Sequence, residues 1–209
     1  MKKNLSLILV SGLIIAILIS NIGEIIGDGK AFDNLRGNVL RLHVLANSDS
    51  EYDQNLKLKV RDAILESGIL SGADSIENAR KTAEKRLRDI ETLAELTLEE
   101  YGCNMPVKAS IENIGFDERT YGDITMPAGD YQALRIEIGN AEGHNWWCVM
   151  YPPLCLPAAS EVSENKSAED EYFTEKELDI MRKPKKYRVK FAVWEQIKKI
   201  CDKKSDKSD

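Results

Sequence analysis

An apolar run from Leu5 to Ile22, preceded by Met1-Lys2-Lys3 and free of charge until Glu24, is the strongest constraint on what this chain can become. At about 1.5 Å of rise per residue, such a run lies at the lower limit of a bilayer-spanning helix. Ile, Leu and Val occupy every face of it, unlike a helix with one stripe turned to a globular core. A basic start followed by an apolar run predicts a signal peptide or a membrane anchor. The basic end stays in the cytoplasm and residues beyond about 30 lie outside. Gly29-Lys30-Ala31 supplies small residues for a cut after Ala31, although Glu24 and Asp28 stand between that site and the run.

The remaining 178 residues are one domain's worth of chain. Residues 1–31 carry three lysines, Glu24 and Asp28, so the rest has a net charge of -7. Such a balance gives no overall basic footprint for nucleic acid. Four cysteines are too few for a disulfide-dense miniature fold but enough for one or two bridges.

Asn38 to Ala46 reads as a mostly buried strand. Ser50, with Asp53 three residues on, caps a following helix in which Tyr52, Leu56, Val60 and Ile64 form one face to Gly68. Asp74 and Glu77 open a second, long helix with an apolar stripe from Ile76 to Tyr101, ion pairs Glu77–Lys81 and Glu84–Arg88, and a stop at Gly102. Strands are expected at Pro106–Asn113, Phe116–Tyr121, Tyr131–Ile138 and Trp146–Tyr151, with a turn at Gly129-Asp130. Pro152-Pro153 ends the last of these. A short helix over Phe173–Met181, capped by Thr174 with Glu177, and a last strand over Tyr187–Trp194 complete the pattern. The fold expected is an α/β (α+β) single globular domain, two early helices packed on a mixed sheet, after an N-terminal signal or anchor. Its parts are segment 1–31, a core over 32–157, an acidic flexible loop over 158–171, a C-terminal part over 172–200 and a polar tail over 201–209.

Candidate chemistry is sparse. His144 and Cys148 are four residues apart, which in a strand leaves them about 13 Å apart, too far for a thiol–imidazole dyad unless the turn folds back. His43 could approach Cys148 or Cys155 across the fold; its plainer reading is a packed strand histidine. Cys148 and Cys155 flank Tyr151-Pro152-Pro153, so in an exported protein a bridge could fix that turn. Cys103 and Cys201 could form a second. Only two histidines exist, 101 residues apart, with no zinc-ligand spacing. The acids at 49–53 lack the Gly and terminal Glu of a calcium loop. No phosphate-binding loop, GxSxG elbow or HExxH occurs, and no metal or cofactor is expected. Trp146 and Trp147, as strand neighbours, point to opposite faces. One enters the core while the other is a candidate contact anchor, or both are buried.

Four stretches together carry a resemblance: LRLHVLANSDS, DQNLKLKVRDAIL, YGDITMPAGDYQALRIEIGNAEGHNWWCVMYPPLC, and YRVKFAVWE near the end. They resemble the stage II sporulation protein R family, over residues 38 to about 155 well and beyond that less so. The family-like positions include Arg41, His43, Asn47, Ser48, Asp49, Asp53, Gln54, Lys57 and Arg61, then Gly129, Tyr131, Asn145, Trp146, Trp147, Cys148, Pro152, Pro153 and Cys155.

The resemblance implies a protein made in the forespore and exported, secreted or anchored, into the space between forespore and mother cell. There it activates a membrane-embedded aspartic protease of the mother-cell-side membrane, which matures the mother cell's pro-sigma factor. It implies a signal and not an enzyme, with no catalytic residues to transfer. The expected contact surface comprises His43, Asn47, Ser48, Asp49, Asn145, Trp146, Trp147, Pro152 and Pro153. A cell-envelope hydrolase and a non-catalytic envelope-binding domain are the alternatives. No nucleic-acid partner is expected.

Overall fold

In a computed structural model, residues 11–12, 23–69, 71–121, 123–153 and 172–205 are described. Helix α1 covers residues 23–37. Strand β1 (Leu40–Leu45) leads to helices α2 (Glu51–Glu66), α3 (Ile76–Lys85) and α4 (Leu87–Glu100). Strands β2 (Val107–Phe116), β3 (Arg119–Tyr121), β4 (Ile124–Met126), β5 (Gly129–Ile138) and β6 (Asn145–Tyr151) come next. Helices α5 (Glu175–Arg182) and α6 (Pro184–Ser205) finish the chain.

Four strands form one sheet in the order β2-β5-β1-β6, and β3 and β4 form a separate two-stranded hairpin. β1 runs parallel to β5, with His43 opposite Arg135, and antiparallel to β6, with His43 opposite Trp147. β2 pairs antiparallel with β5 along all ten residues. The sheet is therefore mixed, and the expectation of an α+β domain with early helices on a mixed sheet is met.

Alternate residues of each strand enter two separate cores, as the two-residue period requires. Leu42 and Val44 of β1, Leu134, Ile136 and Ile138 of β5, and Cys148 and Met150 of β6 face Leu56, Val60 and Ile64 of α2 and Ile90, Ala94 and Leu98 of α4. Ala79 and Ala83 of α3 cover Leu40 and Tyr151 at one end. The opposite face carries Tyr131, Ala133 and Val149 under Phe32 and Leu35 of α1, Ile124 and Met126 of the hairpin, and Leu178, Met181 and Tyr187 of α5 and α6.

Helices α1 and α6 are clasped by charge. Asp28 is buried and pairs with Lys176 and with Lys190 (2.8 Å). Glu24 reaches the same Lys190 at 3.1 Å. Asp33 accepts from Trp194 Nε1 and Lys198 Nζ, both at 2.9 Å, and Arg36 donates to Glu195 at 2.9 Å. Gly29 lies against the Trp194 ring so closely that a Cβ there has no room. At the far edge of the sheet, Glu95 and Glu91 of α4 accept the outward N–H groups of Val107 (3.3 Å) and Ala109 (3.0 Å).

Several expectations are corrected. The stripe over Ile76–Tyr101 is two helices, broken at Arg86 (φ -106°, ψ 13°). The break turns Glu84 to Arg80 (3.7 Å) and Arg88 to Glu91 (3.0 Å), so the Glu84–Arg88 pair does not form. Ser75, not Asp74, caps α3 by accepting from Asn78 N. Gly129-Asp130 begins β5 instead of turning. Tyr52 and Tyr101 are exposed ends of their apolar stripes. Tyr187–Trp194 is helical, because Tyr187, Phe191 and Trp194 share the side turned to α1. Phe32 and Leu35 of α1, at the start of the expected 32–157 core, are buried in it. The segment 5–22, apart from residues 11–12, and the loop 158–171 lie outside the described residues. Among the described residues no helix is long and apolar enough to cross a membrane.

Candidate functional site

The loop after β1 and the loop after β5 lock together at one end of the sheet. Asn47 holds both: its side-chain NH2 donates to Asp53 (2.8 Å) and its side-chain oxygen accepts from Asn140 N (3.0 Å). Ser48 Oγ donates to the same Asp53 oxygen at 2.5 Å. The Ser50 hydroxyl accepts from Asp53 N, capping α2 as expected. The Ser48 hydroxyl, then the Asn47 amide, hold the Asp53 carboxyl below its ordinary pKa. Glu142 N and Gly143 N donate to the carbonyls of Asn47 and Ala46. Gly139 has φ 58° and Gly143 lies on the Ser48 backbone, so neither position tolerates a Cβ.

Lys57 and Arg61 continue from Asp53 along α2 at four-residue spacing, and all three are buried. Lys57 Nζ donates to the His144 carbonyl at 2.9 Å and to Gln54 at 2.5 Å. Burial, with Arg61 nearby, lowers its pKa. The Arg61 guanidinium lies 4.2 Å from the Trp146 ring centre and pairs with Asp62, a cation–π contact.

Two side chains project from this braced loop pair. His144 is 81 % exposed and Asp49 57 %. Asp49 Oδ1 accepts from His144 N at 2.6 Å and lies 2.5 Å from His144 Nδ1. The His144 side chain and backbone N–H together hold the Asp49 carboxyl below its ordinary pKa. Asn145, beside them, is exposed.

On the opposite face, His43 is buried and stacks on Trp147, centroids 3.9 Å apart and planes 7° apart. Neither ring nitrogen has a hydrogen-bond partner of good geometry among the described residues. Burial, with Arg135 adding to it, brings the His43 pKa down to about 4. Phe116 meets both Trp147 (4.4 Å) and the Arg41 guanidinium (3.9 Å). Arg41 is fully buried and donates to Tyr121 Oη at 2.7 Å. Trp146 and Trp147 do take opposite faces as expected, yet each is half-buried.

The site expected from sequence therefore divides. Asn47 and Ser48 brace, while Asp49 and Asn145 present. His43 backs Trp147, and Trp146 covers α2. Pro152 is buried after a cis peptide bond and Pro153 is exposed. They lie at the other end of β6, about 20 Å away along the strand. Cys148 is disulfide-bonded, and Cys155 falls outside the described residues. Cys103 is a buried free thiol, which removes the Cys103–Cys201 bridge. Cys148 faces α2 while His43 faces the other side, so the two do not form a dyad. No group of three or more potential metal ligands occurs among the described residues.

Sequence reasoning missed the Asp49–His144 pair and, though it named Lys57 and Arg61 as family-like, missed that they are buried. The signal for the second was present in the four-residue spacing Asp53–Lys57–Arg61, one helix face. Nothing in the sequence brings residue 49 to residue 144.

The family model of stage II sporulation protein R matches residues 36–161. The stage II sporulation protein R of Bacillus subtilis (strain 168) is 38 % identical over 142 residues, 67 % of this chain and 63 % of that protein. The chain thus spans under two thirds of the length of the curated relative it matches. No solved structure matches it.

Proposed function

From its membership of the stage II sporulation protein R family, we propose that this chain is an exported sporulation signal that switches on a membrane-embedded aspartic protease. That protease then matures the mother cell's pro-sigma factor. The signal acts from the space between forespore and mother cell and is not itself a protease or hydrolase. The observation that carries this reading is the braced loop pair inside the matched region. Asp53, Asn47, Lys57 and the close-packed glycines fix the backbone, and Asp49, His144 and Asn145 stand out from it. A surface that is ordered before contact loses little conformational entropy on binding. Activation requires that it bind the active arrangement of the protease more tightly than the inactive one.

The surface is assigned to Asp49, His144, Asn145 and the exposed edge of Trp147. Asn47, Ser48 and His43 support it from beneath, and Pro152 and Pro153 belong to a separate region. The hydrolase alternative built on Cys148 gains no support, since that sulfur is in a disulfide and His43 is across the sheet.

Processing of a tagged pro-sigma substrate in non-sporulating cells expressing the membrane protease tests this. The intact chain should support processing, and removal of residues 2–22 should abolish it. Asp49→Ala with His144→Ala should lower processing about tenfold, the loss of one hot-spot pair, with protein level unchanged. Undiminished processing by that double variant would sink the surface. Undiminished processing without residues 2–22 would sink the exported topology.

A further inference from the structure

The structure leaves one amphipathic face without a partner, and it lies outside the family-matched region. On α6, the side opposite Tyr187, Phe191 and Trp194 carries Val189, Val193 and Ile200, exposed by 74 %, 38 % and 58 %. At about 100° per residue these three fall within about 40° of one another. Lys185 and Lys199 flank them, exposed and without an ion pair among the described residues, while the exposed Lys186 is held by Asp179 of α5 at 2.8 Å. The acidic side chain described on this helix, Glu195, turns inward to Arg36 and Lys198. An aliphatic stripe between the unpaired Lys185 and Lys199, with no acid of α6 itself among its described side chains, matches a surface of anionic lipid headgroups over acyl chain.

A second observation fixes the occupant. Lys190, one residue from Val189, reaches Glu24 at 3.1 Å and the buried Asp28 at 2.8 Å. Glu24 is two residues beyond the end of the apolar run at Ile22. The first half of α6 is thus held beside the point where the chain leaves that run. Packing of Trp194 on Gly29 keeps the two helices in close contact.

We propose that the outer face of α6 lies on the anionic membrane in which residues 5–22 are anchored. The inference rests on the reading of 5–22 as a retained anchor, and it assigns a second, electrostatic membrane contact to the folded domain. The weak lipid affinity of three aliphatic side chains suffices because the anchor holds the helix at the surface. The braced loops then have a fixed height and orientation over that membrane.

The test uses the full chain in vesicles of phosphatidylglycerol and phosphatidylcholine, and in phosphatidylcholine alone. The photocrosslinker p-benzoylphenylalanine replaces Val189 or Ile200, with Tyr101, exposed on α4, as the control position. Flotation first establishes that the chain is anchored. A chain that does not float removes the anchor reading and this inference with it. Phospholipid adducts at 189 and 200 should exceed those at 101 about tenfold in the anionic vesicles. They should fall by a similar factor with Lys185→Glu and Lys199→Glu together, or at high salt. Those two lysines make no ion pair among the described residues, so the thermal melt should not move. Adducts no higher than at 101 in a chain that floats would overturn the proposal. So would crosslinking in cells that yields protein adducts instead of lipid, which would assign the face to an acidic protein partner.

Discussion

The two faces of the main sheet are closed in different ways. Under α2, α3 and α4 the core is aliphatic, and its helices follow β1 directly in the chain. The opposite face is closed by α1 before the sheet and by α5 and α6 after it, through contacts spanning 159 to 166 residues. It also buries the charged Arg41 and the His43 ring. The first face lies inside the family-matched residues 36–161, whereas the cover of the second lies mostly outside them. One face is a self-sufficient local unit. The other depends on the chain ends meeting, which carries a larger loop-closure cost; costly polar burial occurs on both, at Arg41 here and at Lys57 and Arg61 of α2 there.

The sharpest way to break this contrast is to empty the aliphatic face. Leu134→Ala should cost about 4 kcal/mol, the upper part of the range for a buried leucine, in equilibrium urea unfolding. A loss below about 1 kcal/mol would mean that this face is not the main support. On the other face, Arg41→Ala should cost about 3 kcal/mol, since it removes the contact with Phe116 and leaves a hole. Arg41→Met should recover most of that, because the hole is refilled and the buried charge is gone. If Met proves as damaging as Ala, the charge itself is required.

Acid separates the faces further. The folded-state pKa of His43, about 4, is below its ordinary 6.5, so the folded protein holds the neutral ring. Its contribution is complete above about pH 6.5 and is lost as pH falls towards 4, on the order of 3 kcal/mol. Arg135 raises that loss, while the Asn145 side chain, then Glu112 and Glu137, oppose it. His43→Phe should flatten the stability curve between pH 6.5 and 4; an unchanged slope would place the acid sensitivity elsewhere. Asp28 titrates lower. Burial pushes its carboxyl up, but Lys176 and Lys190 outweigh this and leave it below 3.8. The clasp of α1 and α6 therefore weakens only below about pH 4. At the small end, Ser50→Ala and Thr174→Ala should each cost about 1 kcal/mol. Similar values would show that local capping ignores which face a helix covers.

That contrast also explains what could be read from the residues. β1, β5, β6, α2 and α5 were legible because strand alternation and the Ser50 and Thr174 caps are local signals. The break at Arg86 was not, since an apolar stripe continues in phase across it. Val189, Phe191 and Val193 alternate like a strand, but Tyr187, Phe191 and Trp194 also suit a helix, and packing on α1 decided between the two. The core role of Phe32 and Leu35 was hidden by their closeness to the apolar run. At the candidate site, the residue types were visible, but their division into braces and presented groups was not. Only the meeting of the 47–49 and 139–145 loops shows that Asn47 and Ser48 face inward while Asp49 and His144 face out.

The two carboxylates on the outer edge of β2 have a consequence of their own. Glu91 and Glu95 already accept from Ala109 N and Val107 N, so a foreign strand arriving there would have to displace two charged groups before it could add a rung. That end of the edge strand is thereby blunted against strand addition. At Glu91 this protection belongs to the ionised form: Ala109 N–H, ahead of Arg88, holds its carboxyl below its ordinary pKa, so its cover of the Ala109 N–H outlasts mild acid.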